Sequence, residues 1–266
     1  MSDQSPASMD TTPSHAGIYD YMLGGTHYSE ADREAAEKAL AIAPGTRLAA
    51  IENRAFLKRA VRYVAGHGVG QYIDIGSGFP AAGPVHEVAA EIIPDPHVLY
   101  VDRDPRVTAV SREVIRSPNV ATVAHDIRDP WDIIDDPETA RIIDWSRPVA
   151  VLMVAILHFV SDEADPGEII AVFRDHMVSG SYLVLSHGSL GDSPDTAEEA
   201  ARAWNGTRSP VVFRTPSEIE RLFSGFEMVD PGLVTTREWG TDASAPVAPG
   251  VVLAGVGRSV EPPPFR

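Results

Sequence analysis

Tyr72-Ile73-Asp74-Ile75-Gly76-Ser77-Gly78-Phe79-Pro80-Ala81 is the stretch on which the fold turns. Tyr72–Ile75 reads as a short buried strand. Gly76 and Gly78 read as a tight turn that lets the backbone approach a neighbour with no Cβ in the way. A helix is expected next, from about Pro84 to Ile92, so the stretch opens a strand–turn–helix unit. The same rhythm returns downstream. Apolar runs at Val98–Val101, Ala121–Ala124, Val149–Val154 and Tyr182–Ser186 alternate with helical stretches near Pro105–Ile115 and Asp162–Met177. Strands buried on both faces and joined through helices describe a parallel sheet. The last two runs, Phe226–Leu233 and Val251–Gly257, have no helix between them and predict an antiparallel end.

Ahead of the first strand the text is helical. Ser29 with Asp32 predicts a capped helix running to about Ile42. A second helix, Arg47–Ala65, spaces Leu48, Ile51, Phe56, Leu57, Ala60, Val61 and Val64 onto one apolar stripe. Gly66 and Gly68 are placed to end it in left-handed positions. The expected fold class is therefore α/β: a Rossmann-like, seven-stranded, mostly parallel sheet with an antiparallel last strand, plus an N-terminal helical cap. The expected divisions are a flexible tail over 1–14, the cap over 15–68, a ligand-binding domain over 69–258 and a C-terminal tail over 259–266.

Composition excludes several function classes. The chain of 266 residues carries 22 Lys+Arg against 38 Asp+Glu, a net charge of −16. Nucleic acid and anionic lipid both call for clustered positive charge, so neither is expected as a partner. No cysteine is present, which removes disulfides, thiolate metal sites and a Cys nucleophile. The longest apolar run, Val149–Leu157, is shorter than the about 20 residues of a membrane-spanning helix. The start, MSDQSPASMD, is polar and acidic with no basic segment, so no secretory leader is read and a cytoplasmic location is expected.

In an open α/β sheet, ligands bind beyond the carboxyl ends of the strands. Gly76, Gly78 and Ala81 satisfy the dinucleotide pattern G-x-G-x-x-[GA], and Asp102 closes the second strand where an acid reaches ribose hydroxyls. Asp74 does not suit a diphosphate, because a carboxylate at that strand end would repel it. The same carboxylate would attract an ammonium or a sulfonium. The ligand reads as an adenosine that carries positive charge.

Asp74-x-Gly76-x-Gly78, then Asp102, then His125-Asp126 closing the third strand, resembles the class I S-adenosylmethionine-dependent methyltransferases. Tyr19-Asp20-Tyr21-Met22-Leu23-Gly24-Gly25, Asn53-Arg54-Ala55-Phe56 and His125-Asp126-Ile127-Arg128-Asp129-Pro130 are similar to a bacterial subfamily whose substrates are largely unassigned. The resemblance covers about Ser14 to Arg258. It implies S-adenosylmethionine (SAM) as methyl donor, S-adenosylhomocysteine as product, and a small-molecule O, N or C acceptor. By the same resemblance Asp74, Gly76, Ser77 and Gly78 border the methionine moiety. Asp102 holds the ribose, Arg103 flanks the adenine, Asp126 accepts from its amino group and the Ile127 amide reads a ring nitrogen. Ala155, at the end of the fourth strand, joins this set. His158, just beyond, is the candidate catalytic residue, as general base or as an orienting group. Tyr21 and Arg54, with Tyr19, are expected to roof the cofactor, with Arg54 serving its carboxylate. Asp104 is expected to cap the helix that begins at Pro105. The stretch Gly188–Thr207 is a candidate second wall of the acceptor pocket. A homodimer is left open.

Other constellations fail. His86-Glu87-Val88-Ala89-Ala90 lacks the second His of a zinc-protease helix, and the nine His include no i, i+4 pair, so no metal is expected. Two rival readings stand beside the transferase: a non-catalytic SAM-binding regulator, and an NAD-dependent oxidoreductase using the literal glycine pattern.

Overall fold

The structure, a computed structural model, describes residues 12–81, 83–189, 211–241 and 251–260. Five parallel strands form its centre: β1 (Gln71–Ile75), β2 (His97–Val101), β3 (Val120–Val123), β4 (Ala150–Val154) and β5 (Tyr182–Ser189). β8 (Val251–Arg258) runs antiparallel to β5, and the short β6 (Glu227–Met228) and β7 (Val234–Thr235) pair with it. The 8-stranded sheet has the order β3-β2-β1-β4-β5-β8-β6, with β7 beside β8. The count differs from seven because the run Phe226–Leu233 holds only β6; the chain turns there, and β7 follows as a separate contact on β8.

The strand order reverses between β1 and β4, which opens a crevice at their carboxyl ends. Alternation along the strands builds a core on each face. Ile73, Ile75, Leu99, Val101, Val151 and Met153 face one cluster. Tyr72, Val98, Tyr100, Leu152 and Val184 face the other.

Helix α3 (Thr46–Gly66) covers that second face with Phe56, Leu57, Ala60, Val61 and Val64, so it is a layer of the sheet's own core. Burial of its larger apolar side chains stabilises by roughly 1.5–3 kcal/mol each. Leu48 and Ile51 are not on that stripe and are 55% and 47% exposed. At about 100° per residue they fall on the opposite side of the helix from Phe56, Leu57, Ala60, Val61 and Val64, while Ala50 between them is buried. Gly66 is the last helical residue and Gly68 takes the left-handed conformation, at φ 85°.

Helices α1 (His15–Met22) and α2 (Glu30–Ile42) form a smaller cluster with the start of α3, through Ile18, Met22, Ala36, Ala39 and Ala50. Ser29 and Asp32 make the expected reciprocal cap. Asp32 also accepts from the Ser14 amide at 2.7 Å and pairs with Arg106 at 3.2 Å. Arg106 lies on α5 (Pro105–Val114), the helix after α4 (Val85–Ala90), and holds Asp104 at 2.9 Å, so one guanidinium ties α1 and α2 to the carboxyl end of β2. No helix among the described residues is long and apolar enough to cross a membrane.

Candidate active site

A cavity of about 550 Å³ opens at the β1/β4 switch, between the strand ends and α1 and α3. Its floor is the glycine turn. The Gly76 and Ser77 amides donate to the Val101 carbonyl at 2.8 and 3.1 Å, which pins the turn to β2. Gly76 sits at φ 72°, and a Cβ there would lie 2.7 Å from Ile156 Cδ1. Only glycine meets both demands.

Asp102 is buried, with one carboxylate oxygen accepting from the Gly78 amide at 2.9 Å and the other from the Asp104 amide at 2.9 Å. Each oxygen keeps a second lone pair for a ligand hydroxyl. Asp104 caps α5 through the Arg106 amide, as expected. Asp74, also buried, projects from β1 on the α3 side. Burial pushes its carboxyl up to about 6, against the attraction of Arg54 and with the help of the Asp102 charge. A buried carboxylate whose charge is disfavoured by its surroundings calls for a cationic partner.

Two polar atoms in this part of the cavity are buried with no hydrogen-bond partner: Arg54 Nε and Ser77 Oγ. Arg54 reaches the Gly83 carbonyl with a terminal nitrogen at 3.3 Å, while its Nε makes no bond. Orphaned buried donors are rare, and two among the residues lining one cavity are available to an external acceptor.

On the far side of Asp102, Arg103 donates to Asp126 at 3.2 Å, and Arg128 grips the same carboxylate through its side chain and its amide. Burial alone would raise Asp126; the Arg128 and Arg103 bonds outweigh it and hold the carboxyl at about 2. Two guanidinium groups thus share that carboxylate. Ile127 is buried at the same edge.

The fourth strand ends in strain. Ala155 has φ 58°, left-handed for a residue with a Cβ, a conformation that costs about 1–3 kcal/mol and persists only where neighbours impose it. The Ala155 amide donates to Ser186 Oγ at 2.9 Å; Ser186 Oγ donates to Asn53 Oδ1 at 2.6 Å. Asn53 Nδ2 donates to the Tyr19 hydroxyl at 3.0 Å, and that hydroxyl donates to the Ala50 carbonyl at 3.0 Å. One chain of bonds therefore fixes the strained turn to α1 and α3.

Of the residues that the sequence sends to the cofactor, all but Tyr21 line this cavity. The Tyr21 hydroxyl donates to Glu37 at 3.0 Å and its ring lies edge-on to Tyr28, away from the site. Tyr19 lines the cavity instead. Two residues apart on a helix is about 200° of rotation, so both rings cannot face one cavity.

His158 lines the cavity in a short 3₁₀ turn, Leu157–Phe159. Its Nδ1 accepts from the Gly188 amide at 3.3 Å, which leaves the proton on Nε2. Burial holds the imidazole well below its usual range, and the His187, His15 and Arg214 charges push the same way. That histidine is a weak base and a ready donor. Behind it is a group that sequence reading did not find. Buried Arg214 donates to the Leu157 and Val160 carbonyls, both at 3.0 Å, to His187 Nε2 at 2.8 Å and to Asp162 at 2.6 Å. The candidate wall Gly188–Thr207 lies outside the described residues from 190 onward.

With this geometry, comparison with known proteins is specific. A family model described as S-adenosyl methyltransferase matches residues 2–260. A crystal structure of a candidate methyltransferase from Thermobifida fusca YX is 38% identical, with a TM-score of 0.90, over 97% of this chain and 100% of that one. A DUF574-family protein from Streptomyces avermitilis MA-4680 is 34% identical, with a TM-score of 0.86, over 93% and 98% of the two chains. Human N-acetylserotonin methyltransferase in complex with SAM is 14% identical, with a TM-score of 0.50 over 94% of this chain and 64% of that one, a likeness of fold alone. No curated protein matches.

Proposed function

The chain belongs to the S-adenosyl methyltransferase family, and from that premise we propose that this cavity holds SAM and passes its methyl group to a small-molecule acceptor. The methionine end lies under α3 beside Asp74 and Arg54, the ribose on Asp102, and the adenine along Asp126 and Ile127. The observation that carries the reading is the unpartnered pair, Arg54 Nε and Ser77 Oγ, in a glycine-floored cavity that Asp74 also lines. A SAM carboxylate matches the two donors, and the ammonium or the sulfonium matches Asp74. Bound there, the cofactor supplies an electrophilic methyl on sulfonium. The protein's own work is alignment and exclusion of water, with Ala155 and the turn after it fixed by the Ser186–Asn53–Tyr19 bonds. The net charge of −16 favours a small acceptor over nucleic acid.

The experiment is calorimetry of Arg54→Ala with SAM and with decarboxylated SAM. Loss of a charge-assisted bond to the carboxylate costs about 1.5–3 kcal/mol, so SAM should weaken roughly tenfold to hundredfold. Decarboxylated SAM should bind wild type and variant within a factor of about three. Equal weakening of both ligands would remove Arg54 from the carboxylate.

A further inference from the structure

The cavity continues past the turn after β4 into a region of different character. Here the walls are Phe159, Phe213, Val211 and Val252, with His15 stacked on Phe159 at a ring separation of 3.7 Å. Gly188 brings this wall together: a Cβ there would lie 3.1 Å from the Phe213 ring, so a larger residue would displace it. The acids that line the cavity among the described residues, Asp74, Asp102, Asp104 and Asp126, all belong to the glycine turn or the ends of β2 and β3. None stands at the aromatic end. An ammonium placed there would meet two histidines, with the Arg214 guanidinium behind them and Asp162 already spent on that guanidinium.

The polar group this end presents is His158, and its donor side is fixed by geometry. His187 Nε2 takes a bond from Arg214, so the His187 proton sits on Nδ1, which donates to the Gly188 carbonyl at 2.8 Å. The amide of the same residue, Gly188, occupies His158 Nδ1. Arg214 also clamps the carbonyls of Leu157 and Val160, on either side of His158. A histidine whose Nδ1 accepts carries N–H on Nε2, and an N–H selects a ligand atom with a lone pair.

Resting on the assignment of SAM to the adjoining half of the cavity, we propose that the aromatic end takes a planar aromatic acceptor bearing a hydroxyl, whose oxygen accepts from His158 Nε2–H and receives the methyl group. Ring faces match ring faces: offset and edge contacts with Phe159 and Phe213 hold a flat acceptor at little entropic cost. A free phenol ionises near pH 10. The His158 donor and the positive field of Arg214 favour its anion, whose proton leaves to solvent water. The phenolate oxygen then bonds to the methyl carbon as the carbon–sulfur bond breaks. The electron pair stays on sulfur, and the products are an aryl methyl ether and S-adenosylhomocysteine. Arg214 is a positioning residue in this scheme, acting through His187 and the turn.

The test uses the full chain saturated with S-adenosylhomocysteine, the saturation first confirmed by calorimetry, and two probes of one shape: 2-naphthol and 2-naphthylmethylammonium. Ligand-observed NMR should show 2-naphthol binding at least about tenfold tighter than the ammonium. With SAM in place of the product, mass spectrometry should find 2-methoxynaphthalene. His158→Ala should lose about tenfold or more in 2-naphthol affinity while S-adenosylhomocysteine binds unchanged, and His158→Gln, which keeps an N–H, should recover part of that loss. Arg214→Lys should shift the pH profile of methyl transfer, which a purely structural arginine would leave in place. Saturated protein that prefers the ammonium, or binds neither probe, overturns the phenol proposal and leaves the cofactor assignment standing. Failure to bind S-adenosylhomocysteine overturns both.

Discussion

SAM should bind about tenfold more weakly at pH 5 than at pH 7.5, and Asp74→Asn should abolish that dependence. Asp74 has a carboxyl raised to about 6 by burial in the free protein. A cationic ligand needs the ionised form, while the SAM amino group stays protonated across this range. Below the free-protein value, binding must expel a proton, and the apparent affinity falls by up to about tenfold per pH unit. Asp74→Asn removes the titration and the attraction together. Its affinity at pH 7.5 should fall roughly tenfold to hundredfold, by the same charge-assisted bond energy.

The unliganded protein should respond with the opposite sign. The folded pKa lies above the unfolded value of about 3.9, so the native state binds the extra proton. Through this group, stability rises as the pH falls from about 6 to 4, and above 6 the buried charge destabilises the fold by on the order of 2–3 kcal/mol. Asp74→Asn should therefore melt higher than wild type at pH 7.5 while binding SAM worse, a separation characteristic of a strained binding site. A variant that is less stable and has an unaltered pH profile for SAM would show that Asp74 serves only the loop.

Asp102→Ala should lose a tenfold to hundredfold in SAM affinity. Two ribose hydroxyls would lose their acceptor, at about 1.5–3 kcal/mol for bonds to a charged group. The substitution also frees the Gly78 and Asp104 amides, which it now holds at 2.9 Å each. Part of the loss is therefore a looser glycine turn. Asp102→Asn separates the two: it keeps an acceptor for one amide and weakens the ribose bonds. Thermal melting with and without SAM reports both. A folded Asp102→Ala that binds SAM within a factor of about two would place the adenosine elsewhere.

The sheet and the glycine turn were readable because both are local. Period-two burial, two glycines at a strand end and an acid closing the next strand need no knowledge of distant chain. The motif Tyr19–Gly25 was readable as a signature but its work was not. Asp20 accepts from the His27 amide at 2.7 Å, and Gly25 leaves room for the Asp20 carboxylate, so this part of the motif shapes the α1–α2 corner. Helical phase decides which tyrosine faces the cavity, and the paired reading of Tyr19 and Tyr21 ignored it. The bonds that Arg214, His187, Ser186 and Asn53 make were illegible for a different reason. Each is an ordinary polar residue in sequence, and their bonds join β5, α3 and the segment before residue 216 across long stretches of chain. Leu48 and Ile51 misled because apolar character was read without helical phase, which puts both on the side of α3 opposite its buried stripe.

Isothermal calorimetry of the full chain with SAM, S-adenosylhomocysteine, NAD and NADP at pH 7.5 tests the cofactor assignment most directly. Saturable binding of SAM and S-adenosylhomocysteine at micromolar strength is expected, with a matching rise in melting temperature. Neither nicotinamide dinucleotide is expected to produce heat, because the Asp74 carboxylate that lines the cavity would repel a diphosphate. Saturable NAD binding with no response to SAM or S-adenosylhomocysteine would contradict the account.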